Sequence, residues 1–145
     1  MIRRSTLVVL FVIFILIGGC QTYQEGLQQT IARADETSAL ATLHAVSLAQ
    51  RTYSLTNNGE YGTLKQLTDG GFLDVRYAGD RPVKDYVITL KVTPKSDGPE
   101  GSYTCNADPD PAVGKPGRHL YIDSSADGIH VNDTQPATAA DKVMQ

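Results

Sequence analysis

At Pro82 the spacing of apolar residues changes from a helical period to an alternation of two. Before it, TSALATLHAVSLAQRTYSL (37–55) holds no Gly or Pro and is rich in Ala and Leu, so it favours a long helix. Ala41, Ala45, Leu48, Thr52 and Leu55 form its predicted core stripe, flanked by Ala39, Leu43, Val46 and Tyr53. Asn57-Asn58-Gly59 ends it, because Gly tolerates the left-handed conformation of a helix stop. A second, short helix follows. Thr63 and Gln66 have the spacing of a capping box, Leu64 and Leu67 face inward, and Asp69-Gly70-Gly71 closes it.

After Pro82, Tyr86, Ile88, Leu90 and Val92 alternate with Val87, Thr89, Lys91 and Thr93, the pattern of a half-buried strand. Residues 102–106, with Tyr103 and Cys105 on one face, predict a second strand, and 108–117, with three prolines, a loop. Residues 118–123 predict a third strand with Leu120 and Ile122 on one face. Asp127-Gly128 is a hairpin signal, so 129–132 returns as a fourth strand with His130 opposite Ser125. Residues 134–145 have little to bury and are expected to be a disordered tail. The expected fold is α+β: a long N-terminal helix packed on a small antiparallel sheet of about four strands, spanning residues 37–133.

The N-terminal segment follows a different logic. Arg3 and Arg4 precede LVVLFVIFILI (7–17), and Ile17-Gly18-Gly19-Cys20 follows. Eleven apolar residues cover only about 16 Å of helix, roughly half a hydrocarbon core. The order resembles a bacterial lipoprotein signal peptide, with the tetrad as lipobox: a branched residue, two small ones, then the thiol that accepts diacylglycerol. The resemblance implies removal of residues 1–19, a lipid on Cys20, and 20–36 as a lipidated tether or the start of the helix. The expected location is the cell envelope, lipid-anchored and facing the periplasm. Gln21 rather than Asp after the cysteine points to the outer membrane in a Gram-negative cell. Two rival readings are a plain N-terminal anchor and a prepilin leader. In prepilins, however, the apolar stretch follows the cleavage site, whereas here it precedes it.

Charge narrows the partners. Thirteen Lys and Arg stand against 16 Asp and Glu, a net −3. Loss of Arg3 and Arg4 leaves 11 against 16, a net −5. With no basic block, nucleic acid is not an expected partner. If Cys20 is acylated, Cys105 has no intrachain partner, and burial as a small hydrophobe is its expected state.

ATLHAVSLAQRTYSLTN (41–57), EYGTLKQLTDGGFL (60–73) and RHLYIDSSADGI (118–129) are similar, in collinear order, to the globular part of type IV pilins and type II secretion pseudopilins. The resemblance covers roughly Ala39 to Val131. It implies a pilin-like fold and partners in a pilus or secretion machine, reached from the membrane to which the lipid holds the chain. One departure is large. The family's apolar N-terminal helix half, used for filament packing, is replaced here by polar residues 21–36, which puts polymerisation in doubt.

Site candidates are sparse. Asp123-Ser124-Ser125-Ala126-Asp127-Gly128 resembles half a calcium loop, with Asp123, Ser125 and Asp127 as ligands and Asp108 and Asp110 nearby in sequence. The twelfth position, which should be a bidentate acid, is Thr134. Calcium or a small ligand is therefore the alternative reading; no other cofactor is expected. Calcium binding in the C-terminal loops of major pseudopilins is what the resemblance adds to it. His44, His119 and His130 are scattered, and neither a nucleophile elbow nor a phosphate loop occurs, so no enzyme activity and no catalytic residue is expected. Tyr53, Tyr61, Tyr77, Tyr86, Tyr103 and Tyr121 are expected to seat their rings in the core with hydroxyls outward.

Overall fold

The structure, a computed structural model, describes residues 2–79, 83–97, 101–125 and 127–144, without the side chains of 2–26, 28, 29 and 97. It divides into two units, Met1–Arg33 and Ala34–Gln145. The first is helical from Ile2 and belongs to α1 (Ile2–Thr56). The expected signal peptide 1–19 and Cys20 fall where side chains lie outside the described residues.

The second unit carries the rest of α1, then α2 (Leu64–Asp69), a 3-10 turn (Val75–Ala78), and strands β1 (Tyr86–Thr93), β2 (Ser102–Pro109), β3 (His119–Asp123), β4 (His130–Asn132) and β5 (Lys142–Val143). The five strands form one antiparallel sheet in sequence order. This is the α+β arrangement that the change of period predicts, with five strands rather than four.

The helix meets the sheet through Ala39, Leu43, Val46 and Ala49, packed with Tyr86, Tyr103, Cys105, Ala107, Leu120 and Ile122. The Tyr103 hydroxyl donates to Ser47 Oγ at 3.2 Å across this join. The expected core stripe is corrected. Ala41 and Thr52 are exposed, Leu48 is 67% exposed and Leu55 85%. The buried face is rotated and includes Thr42 and Gln50. Neither polar side chain is left unpaired. Thr42 Oγ1 donates to Ser38 O at 2.9 Å. Gln50 grips Gly62 from both sides, Nε2 donating to its carbonyl at 2.7 Å and Oε1 accepting its N–H at 2.9 Å. Burial therefore carries little penalty, and polarity misleads as a guide to the outer face.

Asn58 (φ 53°) and Gly59 (φ 83°) turn the chain out of α1, with Gly59 N–H bonded to Ser54 O at 2.9 Å. α2 starts as expected: Thr63 and Gln66 cap one another reciprocally. Leu67 is fully buried, and Phe72 meets the Tyr53 ring edge to face at 5.3 Å.

Residues 134–144 correct a second expectation. They do not fray but return to the sheet's other face. Asn106, on the side opposite Cys105 and Ala107, donates from Nδ2 to Ala137 O at 2.9 Å, and Ala137 is buried. Asp141 accepts from Asn132 Nδ2 and from Thr138 N–H, each at 2.8 Å, and its carbonyl accepts from His130 Nδ1 at 2.7 Å. Val143 then pairs with His130 to make β5. The order comes from hydrogen bonds to a polar sheet face. Apolar content, on which the expectation rested, does not report these bonds.

Candidate functional site

One cluster of polar and aromatic side chains of the second unit lies on the sheet face away from the helix. Tyr121 and His130 are register partners on β3 and β4, both buried, their rings edge to face at 5.9 Å. The Tyr121 hydroxyl donates to Asp123 Oδ2 at 2.8 Å. Burial, followed by the hydrogen bond and charge of Asp123, pushes the Tyr121 phenol up to about 12. Asp123 Oδ1 accepts from the Ser125 backbone N–H at 2.8 Å and from the Ser125 hydroxyl. Burial acts to raise Asp123, but these bonds from Ser125 and Tyr121 outweigh it and hold the carboxyl below its ordinary value.

The calcium candidates therefore divide. Asp123 and Ser125 come together, but as a turn in which both Asp123 oxygens are engaged by the protein. Asp127 is exposed, and Ala126 lies outside the described residues. Among the described residues no three His, Cys, Asp or Glu side chains converge on a point. Asp108 bonds His119 Nδ1 at 2.6 Å instead of turning to the Asp123 loop. Asp110 closes its own loop by accepting from Ala112 N–H at 2.9 Å. The two-residue hairpin at Asp127-Gly128 is corrected, since His130 faces Tyr121 and not Ser125. The longer connection follows from Asp123 and Ser125 tying off their own turn before the chain reverses.

Elsewhere the residues hold structure. Cys105 is fully buried, and burial pushes its thiol up to about 12, so it stays protonated and shielded. Arg118 Nε donates to Glu36 Oε1 at 3.1 Å, and Lys115 pairs with Asp85, together tying the 110–118 loop to α1 and to the start of the sheet. The bond from Lys115 holds Asp85 below its ordinary value. The rings of Tyr77, Tyr86 and Tyr103 sit in the core as expected and those of Tyr53 and Tyr61 are partly buried against it, but Tyr121 is buried on the other sheet face, and the hydroxyls of Tyr86, Tyr103 and Tyr121 bond inside the protein, to Arg118 O, Ser47 and Asp123. His44 is exposed. Gln50 is the residue that sequence reading missed; a polar side chain gives no signal of burial unless its partner, here a backbone 12 residues on, is already known.

Among the described residues, no helix is long and apolar enough to cross a membrane. Compared with protein-family models, curated proteins and solved structures, the chain matches none.

Proposed function

We propose that the chain is a lipid-anchored envelope protein whose α+β domain serves structure or protein interaction at the membrane surface, without enzymatic activity. The observation that carries this reading is the run from Arg3-Arg4 through residues 7–17 to Ile17-Gly18-Gly19-Cys20. An apolar stretch too brief for a permanent span, followed by two small residues and a thiol, suits cleavage and acylation. Two or more acyl chains then anchor stably where one does not. With Gln21 rather than Asp after the cysteine, the anchor belongs to the outer membrane if the cell is Gram-negative, with the domain facing the periplasm.

The domain itself is pilin-like in this reading. A helix packed on one face of an antiparallel meander, with a capped short helix between them, supports it, as does the collinear similarity of 41–57, 60–73 and 118–129. Polar residues 21–36 in place of an apolar helix half make it an accessory to a pilus or type II secretion machine rather than a filament subunit.

Labelled palmitate tests the anchor directly. Incorporation is expected in the wild type and lost in Cys20→Ala. Mass spectrometry finding an intact, unmodified start at Met1 would overturn the scheme. Purification from membranes tests the second part: pilus or secretion components should accompany the wild type, and their consistent absence counts against the accessory role.

A further inference from the structure

Where α1 ends, the chain leaves an open cleft of about 490 Å³. Its polar lining includes Tyr53, Asn57, Asn58, Glu60, Tyr61 and Gln66. A second depression of about 240 Å³ shares Tyr61 as a wall and adds Lys95. The first volume lies within the range of small-molecule sites.

Three of these side chains are each pinned through one polar atom while the other has no partner among the described residues. Asn57 Nδ2 donates to Tyr53 O at 2.8 Å, which leaves Oδ1. Gln66 Oε1 accepts from Thr63 N–H at 2.8 Å, which leaves Nε2 and its two protons. Glu60 Oε2 accepts from Lys95 N–H at 3.1 Å, which leaves Oε1. The hydroxyls of Tyr53 and Tyr61 and the amide of Asn58 are likewise unpartnered within the described residues. A group held at one end and open at the other has already lost its rotamer freedom, so a ligand that meets it gives up less on binding.

The frame behind these groups is equally fixed. Gln50 clamps the Gly62 backbone, and the Tyr53 ring lies so close over Gly62 that a Cβ there would stand 3.3 Å from it. Tyr61 is braced edge to face against Tyr103 at 5.0 Å.

We infer that this cleft binds a neutral oligosaccharide. Adjacent sugar hydroxyls both donate and accept, which matches open carboxyl and amide oxygens and an open amide nitrogen carried by residues of one lining. Tyr53 and Tyr61 both line the cleft, and aromatic side chains are common lining for sites whose ligands carry apolar C–H surface, as a pyranose ring does. Glu60 is the sole charged residue of the larger cleft among the described residues, and it disfavours anionic ligands. The site is separate from the Asp123 turn and does not depend on lipid anchoring.

The chain has seven Tyr and no Trp, so tyrosine emission reports directly on such a cleft. Full-length protein in a detergent without a sugar headgroup is titrated with chitotetraose and with cellotetraose. A saturable change with half-saturation in the millimolar range (about −4 kcal/mol) or tighter is expected for at least one of them. Asn58→Gly keeps the backbone at its φ of 53° while deleting the amide, and Tyr53→Phe keeps the ring while deleting the hydroxyl. Each should weaken binding by about tenfold with an unchanged melting temperature. Absence of a saturable response to both sugars, or wild-type affinity in both variants, would overturn the assignment.

Discussion

A buried primary amide needs partners for both its oxygen and its nitrogen, and Gln50 finds both in one residue, Gly62. Replacing Gln50 by Leu keeps the volume but strands a buried N–H and a buried carbonyl. The expected loss is about 2–4 kcal/mol, read as a lower urea midpoint at unchanged slope. Gly62 is constrained from the other direction. A Cβ would sit 3.1 Å from Leu67 Cδ2, so Gly62→Ala must displace a core leucine or the Tyr53 ring. Cys105 calls for a different experiment. Its buried, protonated thiol should resist iodoacetamide in the native protein and react only on unfolding. Cys105→Ser places a hydroxyl among apolar neighbours and should reduce stability by about 1–3 kcal/mol without altering membrane fractionation.

At the scale of elements, the C-terminal strap hangs on Asp141. Bonds from Thr138 and Asn132 hold its carboxyl below the ordinary value. A depressed carboxylate contributes stability that is present above the unfolded value, about 3.9, and is lost as pH falls below it. Asp141→Ala should therefore release residues 133–144 at neutral pH as acid does in the wild type, read as faster amide exchange at Met144, whose N–H bonds Ile129 O. The elements divide cleanly by how legible they were. β1 shows its alternation because one face is wet and the other packed, and the capping box of α2 is a local exchange between Thr63 and Gln66. Both signals lie within a few residues. The buried face of α1 is not local: Ala41 and Ala39 are equally apolar, and only the sheet decides between them. The strap and the clamp on Gly62 are hydrogen-bonded across long sequence separations, so no periodicity announces them. In the cleft beyond α1, Asn57 and Gln66 are held by local bonds and Asn57-Asn58-Gly59 marked the turn that builds it, but the link from Glu60 to Lys95 spans 35 residues, so the convergence of these residues on one cleft was not legible.

For the whole molecule, the alkaline side is the sensitive one. Burial, followed by the charge of Glu36, pushes the Tyr86 phenol up to about 12, and Tyr121 and Cys105 stand at about 12 as well. Each is an acid whose folded value exceeds its unfolded one. Its contribution is complete below the unfolded values, about 8.5 for the thiol and about 10 for the phenols, and drains away as pH climbs toward the folded value. The melting temperature should hold steady through neutrality and fall progressively above about pH 9. A Cys105→Ala variant, though less stable throughout, should begin its decline later. A melting temperature that stayed flat to pH 12 would contradict this.

The perpendicular rings of Tyr121 and His130 carry a practical consequence. An aromatic ring is a small magnet, and the imidazole sits within its field at 5.9 Å. Its carbon-bound protons should resonate away from random-coil positions. Because the same imidazole holds the carbonyl of Asp141, any event that peels the last residues from the sheet will move that signal. One proton line then serves as a gauge of whether the end of the chain is seated.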